Sequence, residues 1–500
     1  MPAKGTPQSS RPDSAKPGEL LDIDQAIAAL KTTRPTFYRW LRQGKLKGMK
    51  AGRQWRFYRQ DLDLFMAGEA PRTAESPDMS DLISQIVKHV GGAETGERHG
   101  KDVVAALNLI LLSAVRTRGT EVHITPIIKP GSQDPVVLLS FRIDGLLQTV
   151  AEFDGRMRKP LIERIKWMAN CDLNETRAPQ CNRVEIKIDQ KVMDIIVATM
   201  PTSLGETMTL RFLSKESVTF ELSQLGFSDS DRERIERLLQ LPWGLIAVTG
   251  PSGSGKTTVL YSLVGRLAGC EKKVISLENP VEYQLPWVVQ VVASKEAGLP
   301  MPAAIRAAMR AAPNVIVVSE LREAESLFLL QDAALSGHLA LVQMHTDDAA
   351  NALQRMIDMG TDPFVVSEST KMVIGVRLVR RLCPDCSVER RPTEQQLADA
   401  ATAALNGGLV WARLPQKFRA PIGCAKCSKL GFRGRMQIGE VLEVTPEIRA
   451  VLRRGGGADE IRRAAVKQGM TTFLADGIRR AAQGETALEE VLWHAPRNTL

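Results

Sequence analysis

Gly250, Pro251, Ser252, Gly253, Ser254, Gly255, Lys256, Thr257 and Thr258 form one unbroken run, "GPSGSGKTT", between the apolar "GLIAVT" and the helix-like "VLYSLVGRL". A glycine-rich loop at this point can turn successive backbone N–H groups toward phosphate oxygens at a helix N-terminus. Lys256 then reaches the β and γ phosphates, and the Thr257 hydroxyl can ligate Mg2+. The spacing Gly-x-x-x-x-Gly-Lys-Thr therefore predicts a triphosphate site. It is not the dinucleotide pattern, which needs Gly-x-Gly-x-x-Gly and a distal acid.

Three short apolar runs follow at helix-length intervals: "KVISL" at 273–277, "NVIVVS" at 314–319 and "LALVQM" at 339–344. Near-continuous runs of this kind predict parallel strands buried on both faces, whose ligands bind beyond the carboxyl ends. Glu278-Asn279-Pro280-Val281-Glu282, Glu320 and His345-Thr346 stand at those three ends. A phosphate cradle, carboxylates and a histidine on one edge suit phosphoryl transfer to water, with Glu320 coordinating Mg2+ through water. His338 and His345 flank one strand, about 23 Å apart at 3.3 Å per residue, and cannot share a metal. His345 is the one expected to face the crevice; His338 is equally suited to a structural hydrogen bond.

Four of the seven cysteines form two C-x-x-C pairs, Cys383 and Cys386 in "CPDC" and Cys424 and Cys427 in "CAKC", around a 37-residue insert. Each pair can wrap one Zn2+, and an insert of this length is a modest entropic cost, so a closed structural zinc site is expected. Turn-like surroundings argue against a redox dithiol, which opens a helix. Cys171, Cys181 and Cys270 stand alone; an odd total without an export signal predicts thiols rather than disulfides.

The elements that hold these residues belong to an ordinary globular chain of 500 residues, 44% hydrophobic and 25% charged, with no apolar run of membrane-spanning length. The opening "MPAKGTPQSSRPDSAKPGE" lacks a signal-peptide core and reads as a disordered tail of a cytoplasmic protein. The net charge of +9 is concentrated: residues 1–70 hold 13 Lys and Arg against 7 Asp and Glu. The basic excess belongs to the head of the chain.

From about residue 103 to 495 the chain resembles the secretion ATPases: general secretion pathway protein E of type II secretion and the type IV pilus assembly ATPases. The ordered matches are "TEVHITP", "FRIDG", "ETRAPQ", "MPTSLGETMTLRFL", the glycine loop, "LENPVEY", "VVSELRE", "SGHLALVQMHTDDA", "RLVRRLC", the Cys pairs and "GMTTFLADGIRRAAQGETALEEVL". The resemblance implies a homo-hexamer in which a PAS-like domain precedes a RecA-like ATPase domain. ATP and Mg2+ are held at their junction, and hydrolysis turns domains against an inner-membrane platform, with the protein peripheral to that membrane. Lys256 and Thr257 then hold phosphate and Mg2+, Glu282 activates water, Glu320 is the Walker B carboxylate and His345 the phosphate sensor. Pilus retraction ATPases lack the zinc module, so the Cys pairs favour secretion or assembly. This chain departs from the family pattern at Asn279, where Glu-Asp-Pro is the rule, in Ser319-Glu320-Leu321-Arg322-Glu323, and in "RAAPN". Of two PAS-domain arginines that reach a neighbouring subunit's phosphates, Arg211 remains and the other position is Ile196. Loss of a trans arginine can cost orders of magnitude, so weak or partner-dependent hydrolysis is expected. A catalytically impaired scaffold in mixed rings is the extreme of that series.

"LLDIDQAIAALKTTRPTFYRWLRQGKLKGMKAGRQWRFYRQDLDLFM", residues 20–66, resembles the MerR-like winged helix-turn-helix of excisionases. Asp24 is expected to cap a first helix burying Ile27 and Leu30. Pro35 starts a second helix with Phe37, Trp40 and Leu41 inward, ended by Gly44. Arg34, Thr36, Tyr38, Arg39 and Arg42 are left outward, with Arg53 and Arg56 on the wing, where they suit phosphate and groove contacts. In secretion ATPases an N-terminal domain docks on a membrane partner, so protein docking and DNA binding both stand, the latter as a nucleotide-gated regulator. The expected α/β architecture is then a disordered tail (1–19), the winged helix-turn-helix (20–67), a linker (68–100), the PAS-like α+β domain (101–220), the RecA-like domain (221–382), an inserted zinc module (383–436) and a helical subdomain (437–500).

Overall fold

The computed structural model describes residues 20–42, 46, 48–51, 54–66, 78–90, 101–132, 134–188, 191–214, 221–295 and 298–494. It divides into two units, 1–214 and 215–500, and each is described by itself. The tail over 1–19, Gly44, Arg53 and residues 67–77 and 91–100 lie outside the described residues.

The first unit opens with β1 (Leu20–Leu21), α1 (Ile23–Ala29), α2 (Arg34–Arg42), β2 (Met49–Ala51), β3 (Gln54–Tyr58) and α3 (Arg59–Met66). Phe37, Phe57, Leu62, Ala26, Leu46 and Leu21 form its core, with Trp40, Leu41, Ile27 and Leu30 packed around them. The capping expectation is corrected: Asp22, not Asp24, caps α1, accepting from Gln25 N while Gln25 Oε1 accepts from Asp22 N. Asp22-x-x-Gln25 is a capping box, which satisfies two orphan N–H groups at once and so outcompetes Asp24. Asp24 instead pairs with Arg34 at 2.8 Å.

Next come α4 (Ser80–Val90), α5 (Val103–Arg116), β4 (Gly119–Ile128), β5 (Pro135–Ile143), β6 (Leu146–Asp154), α6 (Gly155–Met168), β7 (Gln180–Ile188), β8 (Lys191–Met200) and β9 (Thr207–Ser214). The strands form one antiparallel sheet in the order β6-β5-β4-β9-β8-β7. Part of the segment expected to be linker is structure: Met79, Leu82, Ile83 and Ile86 of the α4 region are buried in the same core as Leu107, Ile110, Ile124 and Phe141. Their helical spacing forms an apolar stripe that the polar flanks of 68–100 obscure.

The second unit contains α7 (Asp229–Leu239), β10 (Gly244–Thr249), α8 (Lys256–Leu267), β11 (Val274–Glu278), β12 (Val288–Val292), α9 (Met301–Arg310), β13 (Val315–Val318), α10 (Ala324–Leu335), β14 (Leu339–Met344), α11 (Ala349–Asp358), α12 (Pro363–Ser369) and β15 (Thr370–Leu382). It continues through β16 (Val388–Glu389), α13 (Glu394–Asn406), β17 (Arg419–Ala420), β18 (Phe432–Glu443), α14 (Pro446–Arg453), α15 (Ala458–Lys467), α16 (Phe473–Ala482) and α17 (Leu488–His494). The main sheet runs β12-β11-β13-β14-β10-β15-β18; six strands are parallel and β18 is antiparallel to β15. Alternate residues of β10 serve opposite faces. Leu245 and Ala247 join one core with Leu330, Val342 and Leu353, and Ile246 and Val248 join the other with Leu260, Tyr261 and Leu263.

The zinc-module boundary is corrected as well. Residues 432–443 are the edge strand of the main sheet, so the helical region begins at α14 rather than at 437. The insert between the Cys pairs carries α13, whose Ala400, Ala403 and Ala404 pack on Leu474, Ile478 and Val491 of α16 and α17. Small residues at i, i+3 and i+4 let two helices approach closely.

Candidate nucleotide site and tetracysteine centre

The glycine loop spans the end of β10 to the start of α8, and its glycines are required by shape. Gly250 has φ +152°, and a Cβ there would lie 2.3 Å from Val376 O of the neighbouring β15. Gly255, the residue before α8, has φ +94°, a left-handed conformation that side chains rarely adopt. The buried Ser254 hydroxyl has no hydrogen-bond partner among the described residues. An orphaned hydroxyl and a helix N-terminus in one loop suit an anionic ligand.

Lys256 is almost fully buried, and its ammonium turns back to donate to Gly250 O at 2.9 Å and Pro251 O at 2.8 Å. It lies 3.3 Å from His345 Nδ1, and His345 Nε2 lies 3.0 Å from Glu320 Oε1. Arg322 donates to the other Glu320 oxygen at 2.6 Å. Burial lowers the Lys256 ammonium to about 8, with Glu320 opposing the shift. Glu320 is held below the usual carboxylate range, chiefly by Arg322 and further by His345. Three sequence-predicted residues, Lys256, His345 and Glu320, therefore meet in one hydrogen-bonded chain. Thr249 Oγ1 and Thr346 Oγ1, 2.6 Å apart, tie the P-loop strand to the His345 segment.

Glu282 lies in residues 279–287, the connection that leaves the carboxyl end of β11 and returns to the start of β12, four residues after Glu278. Arg211 belongs to the first unit. Its guanidinium binds Glu121, which also accepts from Arg142 at 2.8 Å. Ile196 is the direct cross-strand partner of Arg211, so the two positions singled out by resemblance share one face of neighbouring strands. His338 is structural, with Nδ1 3.1 Å from Ala333 O. Tyr261, Ser276 and Gln290, which surround Glu278, were not singled out from sequence. Gln290 in "VVQVV" was the readable signal, a lone polar residue in an apolar run.

In the head, Arg34, Tyr38, Arg39 and Arg42 are exposed on α2, whereas Thr36 is half-buried and accepts from Thr33 at 3.0 Å. Arg56 is half-buried on β3, opposite Met49.

The four sulfurs of Cys383, Cys386, Cys424 and Cys427 all lie within 4.8 Å of one another. Cys383 and Cys424 are 3.9 Å apart, Cys386 and Cys427 3.8 Å, and Cys424 and Cys427 3.7 Å. Zn–S bonds of about 2.3 Å in a tetrahedron require S···S edges of about 3.8 Å, so this donor set fits zinc. Cys427 Sγ also accepts from Cys424 N at 3.1 Å and Gly431 N at 3.2 Å. Burial pushes the Cys427 thiol up, but those backbone N–H groups and the adjacent thiols outweigh it and hold the thiol down to about 7. Cys386 is pushed up to about 12, first by burial. Four sulfurs gathered at this spacing could hold one metal ion among them.

A phosphate-shaped loop between a central parallel strand and a helix, with carboxylates and a histidine on the adjoining strand ends, defines a P-loop nucleotide-binding protein. The chain belongs to the type II/IV secretion system protein family, whose model matches residues 97–493; a helix-turn-helix domain model matches residues 20–70. It is 33% identical over 429 residues to the putative type II secretion system protein E of Escherichia coli K12, covering 85% of this chain and 84% of that protein. It is 34% identical over 392 residues to the type IV pilus assembly ATPase PilB of Myxococcus xanthus, covering 78% and 67% respectively. The solved ATPase DotB of Yersinia pseudotuberculosis shares the fold, with a TM-score of 0.60 at 18% identity over 81% of this chain and 96% of that one. No helix among the described residues is long and apolar enough to cross a membrane.

Proposed function

We propose that this chain is the ATP-hydrolysing subunit of a homo-hexameric ring that powers type II protein secretion or type IV pilus assembly. In this reading it works in the cytoplasm, held to the inner membrane by platform proteins. The observation that carries the proposal is the chain of contacts from Lys256 through His345 to Glu320 at the mouth of the glycine loop. On phosphate arrival Lys256 exchanges two backbone carbonyls for the β and γ oxygens, and residues 250–258 cradle them with backbone N–H groups. Thr257 and, through water, Glu320 would hold Mg2+, which would supply charge neutralisation. Released from Lys256, His345 reads the γ-phosphate, and Glu282 takes the proton of the attacking water. Arg211 serves the nucleotide of the adjacent subunit from a PAS-like domain, and the RecA-like domain carries the loop. Cys383, Cys386, Cys424 and Cys427 hold a structural Zn2+.

Turnover is weak until a partner assembles the ring, because Asn279 and Ile196 replace a charge each and the Walker B surroundings differ. The helix-turn-helix head is a docking module for a membrane partner. Its exposed Arg34, Tyr38, Arg39 and Arg42 support a second reading, a nucleotide-gated DNA-binding regulator. The deciding experiment measures ATP turnover and oligomeric mass of the full chain, with and without Lys256→Ala. Wild-type turnover that the substitution abolishes, in a species of hexameric mass, is expected. A monomer that retains no ATP under any condition would end the motor reading.

A further inference from the structure

Glu278 is 1% exposed, at the end of β11, and its three side-chain hydrogen-bond partners among the described residues are all uncharged. Its carboxylate is solvated by these three side chains. Tyr261 of α8 donates its hydroxyl to Oε2, and Ser276 and Gln290 donate to Oε1 at 2.7 and 2.9 Å. The strand register explains why they meet: Ser276 stands opposite Gln290, and Glu278 is two residues further along the same face, which is the face covered by Tyr261.

Gln290 spends its remaining amide groups on the Glu282 segment. Its Nε2 donates to Tyr283 O at 2.8 Å, and its Oε1 accepts from Leu285 N at 2.8 Å. One side chain thus clamps the backbone on the carboxyl side of Glu282, in a connection without regular secondary structure. Glu278 fixes the opposite end of that connection, since Glu282 lies four residues after it. The clamp is oriented by Glu278, and Glu278 by a tyrosine on the helix whose first residue is Lys256. A carboxylate this deeply buried is held by geometry rather than by solvent, so its three donors can adopt few other arrangements.

We propose that Tyr261, Glu278 and Gln290 are positioning residues that set the Glu282 carboxylate relative to the phosphate loop, by linking the P-loop helix to the backbone of residues 283–285. This rests on the reading of Glu282 as the water-activating group. None of the three belongs to the glycine loop, residues 250–258; each acts through the next. Misplacing a catalytic group by about 1 Å can cost about a hundredfold in rate, whereas phosphate binding depends on residues 250–258 and is not affected.

The test uses the full chain and two readouts. Hydrogen exchange followed by mass spectrometry, on nucleotide-free protein, reports the connection directly and needs no turnover. Gln290→Leu and the gentler Tyr261→Phe are expected to speed exchange of amides in 281–287 by about tenfold or more, with α8 and the main sheet unchanged. Steady-state ATPase assays are expected to show kcat lowered about tenfold for Tyr261→Phe and about a hundredfold for Gln290→Leu, with KM for magnesium–ATP within about twofold of wild type. In a Glu282→Gln background, Gln290→Leu should have no further effect on kcat. Unchanged exchange in 281–287 in both variants overturns the proposal, as does a Gln290→Leu loss that multiplies the Glu282→Gln loss in full. If Glu282→Gln alone leaves kcat intact, the catalytic assignment of Glu282 has failed and the positioning role falls with it. A normal Glu282→Gln defect with silent Tyr261 and Gln290 variants sinks the positioning role alone.

Discussion

Replacing Cys424 by serine removes one corner of the sulfur tetrahedron and should release the metal. Three of the S···S edges, 3.7, 3.8 and 3.9 Å, bracket the roughly 3.8 Å that a tetrahedral Zn–S site demands. Cys383 and Cys424 are 41 residues apart, so a metal bound by both would close a loop of that length. Treated as a cross-link, this closure is worth about 4 kcal/mol in chain entropy. That energy should act locally, because α13 keeps its packing on α16 and α17 and the main sheet has its own core. The expected result is one zinc per wild-type chain by atomic emission and none in Cys424→Ser. Exchange should rise in 383–392 and 419–431, and stay unchanged in β10 and β14. Treating wild-type protein with a strong chelator should reproduce the variant. Wild-type protein that carries no zinc after growth in zinc-replete medium, and takes up none as the reduced protein, would refute the reasoning. So would a Cys424→Ser chain that keeps zinc at full stoichiometry.

Three further outcomes follow from the nucleotide site and the head. With Lys256 at about 8 in the free protein and raised by bound phosphate, binding takes up a proton above pH 8, and magnesium–ATP affinity should fall about tenfold from pH 7 to 9 by equilibrium titration. The stability sign is opposite: between about pH 8 and 10.4 the unfolded chain holds the extra proton, so this group alone makes the fold more stable as pH rises. Ile196→Arg restores a guanidinium beside Arg211 on the same sheet face and should raise kcat of the assembled ring at least about tenfold; no gain would remove Ile196 as a cause of weak turnover. The docking role of the head predicts that the full chain does not retard duplex DNA in a salt-dependent way, and retardation that falls steeply with salt would favour the regulator reading.

Much of the site was readable because its signals are local. The strand at 339–344 is read to the residue, since both faces of β14 are buried and its run is continuously apolar. The glycine loop was readable because its backbone can be built by few other residues. What escaped depends on partners distant in sequence. The basic "VRLVRRL" does not look like sheet, yet it extends β15 because β18 pairs with it and Arg380 is neutralised by Glu490. Tyr261 reads as one more member of an apolar helix stripe until Glu278 is found against its hydroxyl. Asp22 lost to Asp24 in the sequence reading because the two lie so close; only the reciprocal bond with Gln25 separates them.

β15 deserves a mechanical reading. Its first half lies alongside β10, Val376 O abuts Gly250, Leu378 lies under Gly255, and the next residue after the strand is Cys383. One extended strand therefore has its midpoint wedged beneath the glycine loop and its tip at the first of the clustered cysteines. Whatever pulls on those cysteines from outside is felt, without an intervening hinge, at the floor of the glycine loop.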